Sequence, residues 1–148
     1  MAYVVHHPYQ YNHQKVVGEG ENRGECAQLA QQTWAHQYKK DMPITVFWRR
    51  GKRLMDCKPG ELTPGTVLAT FDAQGRYHNR HGFHTVLYAS LTHDSNGRPH
   101  GMTVIHQHTK IGDLIKDETF YFRPNAEHYK DARNYYVVEG PHGASGSW

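Results

Sequence analysis

The feature that most limits the fold is an order of elements: one helical stretch near the start, then nothing but short β-rich runs separated by turns. From Cys26 to about Tyr38 the residues Ala27, Ala30, Trp34 and Tyr38 recur at helical spacing, with Leu29 and Thr33 beside them and glutamines on the other face. Past the break at Asp41-Met42-Pro43, residues 44–48 have strand composition but read as half irregular. Strands are predicted over 66–71, 84–91, 102–108, 119–122 and 135–138, and Asn96-Gly97 signals a hairpin between the second and third of these five. Parallel pairing needs a crossover connection between strands, and the pattern contains no βαβ unit. The expected class is therefore α+β, an N-terminal helix packed on an antiparallel β-sheet.

At 148 residues the chain has the size of one domain, expected over 1–140, with the Gly- and Ser-rich 141–148 as a flexible tail. Apolar types make up 37% and aromatics 12%, so the core must draw on Tyr, Trp and β-branched side chains as well as Leu. The formal charge of +3 is small, and its basic residues form only short clusters such as Arg49, Arg50, Lys52 and Arg53, so no nucleic-acid partner is indicated. No run approaches the roughly 20 apolar residues of a transmembrane helix, and the first residues lack the apolar core of a signal peptide. The expectation is a protein with no membrane partner and no classical export signal. Two cysteines, Cys26 and Cys57, cannot form a disulfide framework, and the sequence leaves open whether they meet.

The first 25 residues, rich in His, Gln and Gly, read as a loop that delivers the chain to Cys26. A thiol in the first turn of a helix feels unsatisfied N–H groups and the positive end of the helix dipole, which favour thiolate. Glycines before it let backbone come close to a substrate, where an N–H can serve an oxyanion. A helical cysteine is also a good small core residue, so Cys26 needs a partner to count as a nucleophile. His84 offers one, because it opens an apolar strand directly after a loop of Gly, Arg and His over 72–82. Its backbone is then held by the sheet, and a neutral imidazole there can take the thiol proton and later protonate a leaving amine.

A third polar group usually orients such a base. On the following strand His106 and His108 share one face while Gln107 points to the other, and the loop between the strands does not fix the register. His106 is the favoured candidate, with Gln107 second and His108 also open. A zinc site at His106 and His108 would lack further ligands, so neither metal nor cofactor is expected. Cys57, set before Lys58-Pro59-Gly60, reads as a half-buried small residue. Tyr9 and Tyr11, upstream of the nucleophile, read as packing residues.

Taken in order, Gly24-Glu25-Cys26-Ala27-Gln28-Leu29, Val67-Leu68-Ala69-Thr70-Phe71, Gly82-Phe83-His84-Thr85-Val86-Leu87-Tyr88 and Val104-Ile105-His106-Gln107-His108 form a set that resembles papain-like cell-wall amidases of the CHAP type. It is more closely similar to the family 2 amidase effectors of bacterial type VI secretion, a group with relatives acquired by some animals. The likeness runs from about Gly18 to Val138. It implies a papain-like fold with Cys26 as nucleophile and His84 as base. It departs from the family pattern at His106, where an acidic residue is expected, though an imidazole nitrogen can accept the same bond. The resemblance also implies an antibacterial toxin acting on peptide stems or crosslinks of bacterial peptidoglycan, at the bond between D-alanine and meso-diaminopimelate. Such an effector works in the periplasm and cell wall of a target cell and is opposed by a cognate immunity protein. The competing readings are a non-catalytic wall-binding module and an acyltransferase on the same nucleophile.

Overall fold

The computed structural model describes residues 2–80 and 82–140, so the expected tail at 141–148 lies outside the described residues. Turn-punctuated β-rich runs become six strands, β1 Arg49–Arg53, β2 Val67–Thr70, β3 Thr85–His93, β4 Pro99–His106, β5 Lys116–Tyr121 and β6 Tyr135–Glu139. Ahead of them stands α1, Cys26–Tyr38, the one α-helix among the described residues. The strands make a single sheet in the order β1-β6-β2-β3-β4-β5, every neighbouring pair antiparallel. This is the expected α+β class.

The sheet has a core on each face. On one face Val67, Ala69, Leu87, Ile105 and Val138 meet Ala27, Leu29, Ala30 and Trp34 of α1. On the other, Leu68, Val86, Val104, Phe120, Tyr135 and Val137 are covered by short 3-10 turns that contribute Leu54 and Ala132. A strand buried on both faces has no reason to alternate, and β2 accordingly reads Val67-Leu68-Ala69-Thr70 with all four residues buried.

Two regions differ from the sequence expectation. Residues 44–48 supply a 3-10 turn, Thr45–Phe47, and a fully buried Trp48 whose indole N–H bonds to the Pro43 carbonyl at 2.9 Å. The strand follows in the basic run Arg49–Arg53, which pairs with β6 alone and exposes most of its side chains, as an edge strand does. The first 25 residues are mostly irregular but not a loose loop: Tyr3, Val5 and Val16 are buried, and Val4 bridges Thr66. Tyr3 sets its ring edge-on to Trp34 of α1 at 5.5 Å, which ties the N-terminal segment to the helix.

Candidate active site

The helix begins where the chain is held by its neighbours. Gln107, fully buried just past β4, accepts the Val17 N–H at 2.8 Å and donates to the carbonyls of Val17 and Glu25 at 2.9 and 2.8 Å. Glu25 is the residue before Cys26, so this one amide clamps the entrance of α1 to the sheet. Gly24 adopts φ +87°, and a Cβ there would stand 2.5 Å from the Thr109 methyl, so the segment packs against the turn after β4 with no room for a side chain.

His84 precedes β3 and is fixed on both sides of its peptide. Its N–H bonds to Thr70 Oγ1 and its carbonyl accepts the Thr70 N–H, each at 3.0 Å. Its ring packs against Tyr129 with centroids 4.8 Å apart. The thiol of Cys26 lies 4.0 Å from the carbonyl oxygen of Phe83, the residue directly before His84. Both Cys26 and His84 line one cleft of about 570 Å³. Its walls come from the loop ahead of His84, from the turn His108–Ile111 and from residues 126–129.

Behind His84, on the face opposite α1, stands His106, and 2.8 Å separates His84 Nε2 from His106 Nδ1. The other ring nitrogen of His106, Nε2, lies 3.1 Å from a carboxylate oxygen of Glu118 on β5. The register puts Lys116 opposite His106 and Glu118 opposite Val104, so Glu118 reaches His106 on the diagonal of one sheet face. Of the three candidates for a group behind His84, then, the structure brings His106 into contact with it. Gln107 is committed to the clamp. His108 lines the cleft and accepts the Lys110 N–H on Nδ1 at 3.0 Å.

In front of the thiol is a group that the sequence reading did not single out. Tyr77 sits in the loop over 72–82, buried, with its hydroxyl 3.3 Å from Cys26 Sγ and 2.8 Å from Thr85 Oγ1. Glu118 and Tyr77 were both invisible in sequence because each is tied to its partner only through tertiary structure. The two cysteines do not meet. Cys57 is half-buried, free and bonded through its thiol to the Arg53 carbonyl at 3.5 Å. Tyr9 is exposed and Tyr11 is partly buried with its hydroxyl accepting from Gln37 at 3.0 Å, and neither lines the cleft.

Burial governs the electrostatics. It pushes the Cys26 thiol up, against the hydrogen bond from Tyr77 and nearby N–H groups that pull it down, and the Glu25 charge adds to the rise. Loss of hydration thus works against the thiolate that the helix start favours. Burial likewise holds the His84 pKa well below its ordinary value, helped by His106 and His108. Both shifts favour the uncharged forms, and an uncharged imidazole is the form that can accept a thiol proton.

Compared with known families, the chain matches domesticated amidase effector 2 (Dae2) over residues 1–138. Among solved structures it resembles Type 6 secretion amidase effector 2 (Tae2), with a TM-score of 0.70 over 93% of this chain and 94% of that one, at 20% identity. That likeness is one of fold. No curated protein sequence matches the chain.

Proposed function

The chain belongs to the domesticated amidase effector 2 family and is a peptidoglycan-hydrolysing amidase; on that premise we propose that it cuts its substrate by thiol chemistry, with Cys26 as nucleophile and His84 as base. The observation that carries this reading is that Cys26 and His84 line one and the same cleft. His84 takes the thiol proton as sulfur attacks the amide carbonyl carbon, then gives that proton to the leaving nitrogen as the C–N bond breaks. Water, deprotonated by the same imidazole, hydrolyses the thioester and returns the free thiol. His106 holds the base in orientation from behind, the part a third group plays in a triad.

The substrate is the peptide stem or crosslink of the bacterial wall, cut between D-alanine and meso-diaminopimelate. The cleft carries both signs of charge, Glu25 and Glu127 with Arg80 and Lys110, which suits a peptide bearing carboxylates as well as an amine. On this reading the protein is an antibacterial effector that acts in the periplasm and cell wall of its target and is blocked by an immunity protein seated in the cleft.

The test is digestion of purified sacculi by the wild type and by Cys26→Ala, with muropeptides separated and weighed by mass spectrometry. The expected result is loss of crosslinked dimers with the wild type, none with the variant, and an unchanged melting curve. Equal digestion by Cys26→Ala sinks the nucleophile assignment. Binding to sacculi without any new fragment would instead identify a wall-binding module.

A further inference from the structure

His84 and His106 each have two ring nitrogens, and a bond between two imidazoles does not by itself say which ring donates. Glu118 settles it. Its carboxyl is held below the ordinary range, first by the hydrogen bond with His106 and also by the nearby Lys130 and Lys116, so it is ionised and can only accept. His106 Nε2 must then carry the proton that spans the 3.1 Å to Glu118. With that proton on Nε2, a neutral His106 has its lone pair on Nδ1, and the 2.8 Å bond runs from His84 Nε2–H to it. The lone pair of His84 is thereby left on Nδ1, the nitrogen not used in the sheet-side bond.

We propose that Glu118 is a positioning residue of the amidase. Acting through His106, its carboxylate keeps His84 in the tautomer whose free Nδ1 receives the Cys26 proton, and it stabilises the imidazolium that follows. This rests on the Cys26–His84 reading and extends it by one residue. Both rings are buried, His106 completely, so little water competes with the relay. Its outer end is partly exposed, with Lys130 Nζ at 3.8 Å and Lys116 Nζ at 4.0 Å from the Glu118 oxygens, and the Tyr129 ring packs against His84. The titratable groups facing the relay are thus His108 and Tyr129 at His84, and Lys116, Lys130 and Tyr129 at Glu118.

The experiment compares wild type, Glu118→Gln and Glu118→Ala in steady-state cleavage of a purified muropeptide across pH, with imidazole ¹⁵N spectra of the free proteins. Glu118→Ala is expected to lose about 10- to 100-fold in kcat at unchanged KM, the fold-change that one hydrogen bond to a charged group is worth. Glu118→Gln, which keeps an acceptor oxygen without the charge, should recover part of the loss. In the wild type the ¹⁵N shifts of His84 should report a protonated Nε2, and in Glu118→Ala a mixture of tautomers. Wild-type kcat and pH profile in both variants, or an unchanged His84 tautomer in Glu118→Ala, overturns the proposal. So does a loss that appears in melting temperature and KM but not in kcat, which marks a role in stability alone. If Cys26→Ala is as active as the wild type, the underlying reading has failed; if only the Glu118 variants are, the relay has.

Discussion

The hydroxyl of Tyr77 lies 3.3 Å from the sulfur of Cys26 while Thr85 Oγ1 donates to that same hydroxyl at 2.8 Å. Because the threonine proton occupies the phenol oxygen, the phenol's own proton is free to point at sulfur. Burial and the neighbouring Cys26 raise the Tyr77 pKa well above its ordinary value, so the proton stays on the hydroxyl at any working pH. Tyr77 is thus a built-in donor to a thiolate that burial would otherwise disfavour.

Tyr77→Phe removes the donor and keeps the ring, whose neighbours Trp48, Phe71 and Phe83 remain to pack it. A hydrogen bond to a charged group is worth about 1.5–3 kcal/mol, so the thiolate fraction at fixed pH should fall by at least about tenfold. Rates of iodoacetamide labelling of Cys26 against pH, read by peptide mass spectrometry, measure this directly. A labelling curve identical to that of the wild type would mean the hydroxyl does not donate to sulfur.

Gln107 is a structural clamp with a functional address. Truncation to alanine leaves the half-buried Val17 N–H and Glu25 carbonyl without this partner, at a cost of about 1–3 kcal/mol. Both groups belong to the segment that leads into Cys26, so amides over residues 17–25 should exchange faster with deuterium than those of β2 and β3. Denaturant unfolding gives the total, and exchange protection gives its location. Uniform loss of protection across the sheet would contradict a local clamp.

Stability should depend on pH through His84. Its folded pKa lies below the ordinary value of 6.5, so in the unfolded chain it binds a proton that the folded protein refuses. Stability is therefore whole above about pH 7 and declines as pH falls through 6.5 towards the lower folded value. The carboxyls of Asp72, Asp131 and Glu118, also held low, act in the same direction only at more acid pH, which separates the two effects. Melting temperatures between pH 8 and pH 5 test this, with His84→Gln expected to flatten the slope. An equally steep decline in that variant would assign the effect to other groups.

What could be read from the residues was whatever local chemistry announces. The helix bounds at Cys26 and Tyr38 follow from spacing, and the turn at Asn96-Gly97 is closed by Asp94, whose Oδ1 accepts the N–H groups of Asn96 and Arg98. The central strands β2, β3 and β6 were visible because burial selects Val, Leu, Ala and Tyr there. The edges were harder. β1 is a run of Arg and Lys around one Gly, and the first half of β5 is Lys116-Asp117-Glu118, because an edge strand faces water and need not look apolar.

The sequence by itself determined the α+β order, the thiol at the start of the helix and the imidazole at the start of a central strand, since each of these is a property of neighbours along the chain. Only tertiary structure decided what those two groups feel. Pairing of β3 with β4 and of β4 with β5 set His106 and Glu118 in line behind His84, and folding of the loop over 72–82 set Tyr77 against Cys26. Protonation depends on hydration and on which atom lies within about 3 Å, and both come from residues distant in sequence.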